Sequence, residues 1–500
     1  MAFKVMKNKL IRAAFAAALS ATLLVPTVAS ACTTVLVGKN ASTDGSTFIA
    51  RNEDSMTAWP KYFLVHEAKN NPAGTMYKST GNNFTCELPA HAYKYTATPE
   101  NDESEGQFEE AGINEKGVAM SATESGSYND KIAKADPLVE DTGIGEDSMV
   151  TAVLPYISTA REGVERLGAL VEKYGSAEVN GVAFSDKDEV WYMEIGSGHH
   201  WVARRIPDNY YAVVANQIAI QKIDFNDTKH FMWSTGLQEF VKKNNLNPAK
   251  SGFNFREIFG TNDKDDLTYN IPRVWYGQKV LSPSQVENQK IDSTTIPFYR
   301  KPDKKIDKDA IAKVLSSHFN DTKYDSYGKN EGSLRPISVP RTMESHIIQF
   351  RQNMPVEISG VQWVALGVPE TSVYVPFYAG ITQTPEAYRT GTATPSDDSA
   401  YWAFRTTNAL VRPQYKALMP TVTPVMNNVT HKLNQNLKAS DEEAMKIYNN
   451  NPLDKTALQK YLTEQGEKNA TYAIDEFKAL NAQLIKQYTA LNPIYHNSDL

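Results

Sequence analysis

Through much of the chain, apolar residues fall in short runs bounded by turn residues, the pattern of antiparallel strands rather than of long helices. Thr33-Thr34-Val35-Leu36-Val37 is β-branched and apolar, Lys39 to Ser46 is rich in turn residues, and Thr47 to Ala50 is apolar again, which predicts a hairpin. A turn centred near residues 42 and 43 places Cys32 opposite residues near 53, so Arg51, Asn52, Glu53 and Asp54 are expected beside it. Residues 55–110, punctuated by Pro60, Pro72, Pro89 and Pro99, read as short strands and loops. A turn at Asn114 to Gly117 leads into a strand that ends in the polar Thr123-Glu124-Ser125. Val182 to Ser185, Val190 to Ile195, Trp201 to Arg205 and Tyr210 to Ala215 form a meander ending at Asn216. A second β-rich stretch, about 335–380, includes Val361 to Gly367 and Thr371 to Val375.

Helical spacing is confined to fewer places. Ser148 to Tyr174 carries it, with Pro155 near a start or break, whereas 225–330 is polar and mixed. Near the C-terminus, Ser440 with Glu443 reads as a capping box. Phe477, Leu480, Leu484, Tyr488 and Leu491 then recur at helical spacing before Pro493. That stripe is read as core packing, with a dimer contact as the alternative, so a homo-oligomer is compatible with it. No repeat of fixed period is present.

The N-terminus changes the picture most. Lys4, Lys7, Lys9 and Arg12 precede a mostly apolar run from Ala13 to Val25, followed by Ala29-Ser30-Ala31, an A-x-A cleavage pattern. Residues 1–31 are therefore expected to be an export signal, removed on the way to a periplasmic or extracellular destination. The run is shorter than the ~20 apolar residues of a membrane helix and is interrupted by Ser20, Thr22 and Pro26, so no stable membrane insertion is expected after its removal. Cleavage after Ala31 would put a thiol and a free α-amine on one residue, Cys32. The amine, with a reference pKa of about 8, could act as base toward its own thiol. The alternative is a lipoprotein signal with Cys32 acylated, although Ala29 stands where such signals usually carry Leu.

Composition narrows the rest. The 500 residues, 41% of them hydrophobic, can bury a large core. Net charge is −6, and loss of the four cations and no acids of residues 1–31 would take it to −10, which argues against nucleic acid as a partner. Two cysteines, Cys32 and Cys86, would ordinarily suggest a disulfide in an exported protein. That bridge would disable Cys32 as a nucleophile, so Cys86 is read as an inert, partly buried thiol.

Other chemistries leave no sequence pattern. There is no G-x-S-x-G, P-loop, H-E-x-x-H or glycine-rich dinucleotide motif, and no cofactor is expected. His66-Glu67 lacks a second histidine, and the adjacent His199 and His200 would point to opposite faces of a strand, so no metal is expected. A Cys-His protease would need one of nine histidines at Cys32, and no spacing selects one.

Ala31-Cys32-Thr33-Thr34, Arg51-Asn52-Glu53-Asp54, Gly112-x-Asn114-Glu115-x-Gly117, Asn216 and Pro272-Arg273-Val274-Trp275, in this order, resemble the dipeptidase A family of N-terminal-nucleophile peptidases, relatives of choloylglycine hydrolases and penicillin V acylases. Pro336-Ile337-Ser338, Arg341-Thr342 and Glu344-Ser345-His346 continue the resemblance, which covers residues 32 to about 420. It implies an α+β fold, a four-layer αββα sandwich over 32–430, with 431–500 as a helical segment packed on it. It also implies Cys32 as nucleophile, Arg51 and Asp54 steadying thiolate and α-ammonium, Asn216 and a backbone N–H near Thr123 and Glu124 as oxyanion donors, and Arg273 as the remaining family arginine.

Glu124 falls where the acylase relatives place an asparagine. A carboxylate cannot donate to an oxyanion, but it can hold the ammonium of a substrate with a free N-terminus. The sequence therefore points to small peptide substrates and a cysteine dipeptidase working through a thioester. The alternatives are an amidase of the acylase or bile-salt-hydrolase type and a non-enzymatic lipoprotein.

Overall fold

The computed structural model describes residues 32–491 except 56–58, 105, 262, 265, 330 and 331. The expected export signal and Pro493 lie outside the described residues. Among the described residues the strands form a seven-stranded sheet, a six-stranded sheet and three two-stranded ribbons. The larger sheet runs Tyr299–Arg300, Tyr211–Val214, Thr33–Val37, Thr47–Asp54, Thr342–Phe350, Gly360–Leu366, Val375–Tyr378. The smaller runs Phe231–Trp233, Trp201–Arg205, Val190–Ile195, Asn180–Ser185, Ala119–Ser125, Ala111–Ile113. Five of these strands are used below: β1 (Thr33–Val37), β2 (Thr47–Asp54), β3 (Ala119–Ser125), β4 (Tyr211–Val214) and β5 (Thr342–Phe350).

Antiparallel register explains where the site lies. Thr33 pairs with Asn52 and Val37 with Phe48, so the β1–β2 turn is centred where the sequence predicts and Cys32 lies across from Glu53. The period of two then sends Leu36, Ile49, Ala212, Val214 and Ile348 to the face that packs on Ala119, Ala183, Tyr192 and Val202 of the smaller sheet. Thr34 and Arg51 pair with each other, and His346 pairs with Arg51, so these share that inter-sheet face. The polar residues form one end of a layer whose remainder is apolar.

The opposite face of the larger sheet, with Val35, Phe48, Ala50, Val213 and Ile347, packs on a helical layer that includes α2 (Ile271–Leu281), α3 (Tyr415–Asn450) and α4 (Lys455–Ala490). The outer face of the smaller sheet, with Met120, Ala122, Val182 and Trp191, packs on α1 (Glu146–Val153) and on Ala160–Tyr174. Burying each such aliphatic side chain contributes about 1.5–3 kcal/mol, which is what fixes the register.

Four sequence expectations are corrected. The meander does not run on into Tyr210 to Ala215: Trp201–Arg205 pairs with Phe231–Trp233, and β4 crosses to the larger sheet beside β1, where Val213 and Ala212 bury its two faces in different cores. Thr371 to Val375 is not a strand: Pro369–Thr371 is a 3-10 turn with Pro at its start, and the strand begins only at Val375. Ser440 and Glu443 do not cap a helix, because both lie inside α3, which starts at Tyr415 and passes through Pro420 and Pro424. A cap needs a non-helical residue, and the apolar stripe Leu418, Val422, Val429, Leu433 and Leu437 already holds the preceding turns helical. The expected boundary at 430 therefore falls within a continuous helix. The helix start is at α4, where Asp454 accepts from the Thr456 N–H at 2.9 Å. On α4, Phe477, Leu480 and Leu484 are buried, whereas Tyr488, and Leu491 just after the helix, are exposed. Among the described residues no helix is long and apolar enough to cross a membrane.

Candidate active site

Cys32 is the residue before β1, fully buried, and Arg51 reaches it from the neighbouring strand: Nη1 donates to Sγ at 3.1 Å. The same guanidinium donates from Nη1 to the Thr123 carbonyl at 2.8 Å, from Nη2 to the Ala122 carbonyl at 2.8 Å and from Nε to Ser121 Oγ at 3.0 Å. Its charge is matched by Glu110, whose carboxylate pairs with Nη2. Arg51 is thus saturated by β3 and aimed at the sulfur. Burial pushes the Cys32 thiol well above the ordinary range, against the pull of Arg51 and with Glu124, Glu146 and Asp54 adding to the rise. An unassisted thiol here keeps its proton.

Arg273, near the start of α2, approaches from the other side. Its Nη1 donates to the Cys32 carbonyl and, at 2.9 Å, to Thr33 Oγ1, while Nη2 donates to Asn216 Oδ1 at 2.7 Å and Asn270 Oδ1 at 2.9 Å. Asn216 follows β4, which pairs with β1, so its amide is carried to the Cys32 end of the sheet. With Oδ1 taken by Arg273, the Nδ2 side turns away from that arginine. Burial, then the neighbouring Arg335, pulls Arg273 down to about 9. Asp54 pairs with Arg335 and accepts from Thr342 Oγ1. The seven sequence-predicted residues Cys32, Arg51, Asp54, Asn216, Arg273, Glu124 and Thr123 are all buried.

Glu124 accepts from Thr34 Oγ1 at 2.8 Å through Oε2, while Oε1 is buried with no hydrogen-bond partner among the described residues. Burial raises its carboxyl to about 7 against the pull of Arg273, the Thr34 hydroxyl, Arg51 and Arg335. The neighbouring Thr123 Oγ1 is likewise buried and unpartnered. The Thr123 N–H, however, donates to Glu146 Oε1 at 3.3 Å. The backbone N–H expected near Thr123 and Glu124 to serve an oxyanion is therefore, at Thr123, engaged by a carboxyl on α1.

The family described as Peptidase family C69 matches residues 31–428. The chain belongs to peptidase family C69. It is 44% identical over 470 residues to a protein named "Probable dipeptidase" from Latilactobacillus sakei, covering 93% of this chain and 97% of that one. It is 41% identical over 460 residues to "Probable dipeptidase B" of Lactococcus lactis subsp. lactis (strain IL1403), covering 90% and 93%. It is 38% identical over 448 residues to "Dipeptidase" of Bifidobacterium longum (strain NCC 2705), covering 83% and 84%.

Several residues around Cys32 and Arg51 are not legible as site residues in the sequence. Glu110, Ser121 and Glu146 stand in no motif with Cys32, and only sheet packing brings them to Arg51 and Thr123. Arg335 lies 281 positions from its partner Asp54. His346 was visible only as part of a resembling segment; the signal that could have found it is its strand parity with Arg51. Elsewhere, Cys86 is buried and unbridged. His199 and His200 lie in the turn before Trp201 and bond to separate partners, Asp136 and Ser234. A cavity of about 890 Å³ opens between residues 72–90 and the helix Ala160–Tyr174, lined by Glu162, Glu165, Arg166 and Lys173, and contains none of the site residues.

Proposed function

We propose that this C69 peptidase is an exported cysteine dipeptidase with the αββα architecture of N-terminal-nucleophile hydrolases. The observation that carries the substrate class is the buried Glu124 Oε1, unpartnered in a site that also holds the Cys32 sulfur. In a dipeptide the ammonium is two bonds from the scissile carbonyl carbon, so a group that binds it must stand close to the nucleophile. Glu124 Oε1 and Thr123 Oγ1 offer the acceptors for such an ammonium, and a charge-assisted bond of this kind contributes about 1.5–3 kcal/mol. N-acyl amides carry no ammonium and would leave that carboxyl unpaired. The names of the relatives point the same way.

Because burial holds the thiol protonated, attack needs a base. The α-amine of Cys32, exposed once residues 1–31 are removed, takes the thiol proton as sulfur adds to the scissile carbonyl carbon. The oxyanion that forms is met by Asn216 Nδ2 and by the Glu124 backbone N–H, an arrangement of preorganised donors. The ammonium returns the proton to the leaving amine as the C–N bond breaks, giving a thioester and a free amino acid. Water, deprotonated by the same amine, then hydrolyses the thioester, and Arg51 steadies the thiolate that leaves.

The test is the mature N-terminus together with two cysteine variants. Sequencing and intact mass of active protein should give Cys32 as the first residue with unmodified amine and thiol. Cys32→Ala should abolish hydrolysis of free dipeptides, whereas Cys86→Ala should retain it. Residues still attached before Cys32 in active protein, an acyl mass increment on it, or equal loss in a folded Cys86→Ala would overturn the reading.

A further inference from the structure

The hydrogen bonds that end on the Cys32 sulfur do not begin at Arg51. Glu344 Oε1 lies 2.7 Å from His346 Nδ1, and His346 Nε2 lies 2.8 Å from Ser121 Oγ, which accepts from Arg51 Nε at 3.0 Å. Arg51 Nη1 then reaches Sγ at 3.1 Å. Every member is at most 2% exposed, so no solvent competes for these bonds. We propose that Glu344, His346 and Ser121 form a buried positioning relay, bridging the two sheets, that sets the plane of the Arg51 guanidinium against the Cys32 sulfur.

Donor and acceptor inventory limits the arrangement of the relay. Arg51 Nε can only donate, so Ser121 Oγ accepts there, and its own proton is available to His346 Nε2. His346 Nδ1 is directed at Glu344. The guanidinium is planar and its donors are rigidly disposed. Holding Nε on Ser121 and Nη2 on Glu110 and the Ala122 carbonyl leaves Nη1 pointing at Sγ and the Thr123 carbonyl. Loss of Ser121's acceptor frees the hydroxyl to rotate, and the arginine loses the contact that defines its rotation about Cδ–Nε. The charged groups that face the relay from neighbouring elements are Glu53 on β2, paired with Lys61 at 2.8 Å, and Glu110.

Strand parity explains why this is possible. Glu344 and His346 are two apart on β5 and pair with Glu53 and Arg51 on β2, so all four face the smaller sheet. Ser121 shares its face of β3 with Ala119, which packs in the same inter-sheet layer. Replacing the histidine therefore removes a bond between sheets as well as one within the site.

The inference rests on Cys32 being the nucleophile, and a thiol measurement separates it from the substrate assignment. In the mature protein, the rate of Cys32 alkylation by iodoacetamide is followed against pH by peptide mass, alongside kcat and KM for a free dipeptide. Ser121→Ala and His346→Phe should each move the alkylation midpoint upward by about one pH unit and lower kcat by roughly 10-fold with KM little changed, since only the ionised sulfur gains from Arg51. His346→Gln, whose amide oxygen can still accept from Ser121, should recover most of both. An unchanged alkylation profile in folded Ser121→Ala, or His346→Gln as impaired as His346→Phe, would overturn the relay. If wild-type protein hydrolyses no dipeptide, the alkylation profiles still decide it.

Discussion

At the scale of single residues, Glu124 carries the most specific consequence. A carboxyl held at about 7 is charged above that pH and neutral below it, and only the charged form attracts an ammonium. For free dipeptides, log(kcat/KM) should therefore lose about one unit more per pH unit below 7 than it does in Glu124→Gln, because kcat/KM reports the free enzyme. At pH 8, Glu124→Gln should reduce the preference for free over N-acetylated dipeptides by roughly 10-fold to 100-fold, the loss of a charged hydrogen bond of about 1.5–3 kcal/mol. Equal effects on both substrates would return Glu124 to a purely structural role. The position of Glu124 relative to the Asn114 turn was readable from the chain, but its burial was not. A glutamate is normally solvated, and only the packing of β3 against the larger sheet, where Glu124 meets Thr34 of β1, removes it from water.

At the scale of elements, the turn before β3 determines where Ser121, Thr123 and Glu124 come to rest. Asn114 Oδ1 accepts from the Lys116 and Val118 N–H groups at 3.0 and 3.1 Å, and Nδ2 donates to the Leu154 and Ile157 carbonyls at 2.8 Å each. Gly117, at φ +78, supplies the left-handed residue the turn needs. One buried side chain thus joins the hairpin to the segment after α1. Asn114→Ala should leave these four groups without their partner and lower the unfolding free energy by about 2–5 kcal/mol, read from urea denaturation at constant m-value. A loss under about 0.5 kcal/mol would mean that the turn is held by its backbone alone. The turn itself was evident from Asn114 to Gly117. Its anchor on 154–157 was not, because the pattern of turn residues says nothing about which carbonyls pack nearby.

For the whole molecule, the notable quantity is how many carboxyls are buried between and beside the sheets. Burial raises Glu53, Glu110, Glu146 and Glu178 above the usual carboxylate range, with neighbouring carboxylates adding to it, and raises Glu194 to about 8. A carboxyl raised on folding holds its proton more tightly in the folded state, so unfolding releases protons wherever pH exceeds about 4.5 and stability falls as pH rises. The contribution is fully present below the ordinary carboxylate pKa and is lost through about 7 and 8 for Glu124 and Glu194. Unfolding free energy of the mature protein should accordingly be greater at pH 5 than at pH 8. A rise over that interval, measured by denaturant titration at fixed salt, would contradict the buried-acid account.

The sequence by itself determined the local geometry: the β1–β2 hairpin and its register, the Asn114 turn, the three-stranded meander from Asn180 to Arg205, and therefore which residues of β2 flank Cys32. These follow from side-chain alternation and turn chemistry, which act over a few residues. It did not determine the extent of α3, where packing of Leu418 to Leu437 overrode a capping signal at Ser440. Nor did it reveal the partners of the catalytic candidates: Ser121 and Glu110 for Arg51, Arg335 for Asp54, Asn216 for Arg273. Those pairings exist because two sheets are pressed face to face and helices close over their ends. The burial that shifts Cys32 and Glu124 arises from the same packing, since desolvation depends on every atom around a group and not on its neighbours in the chain.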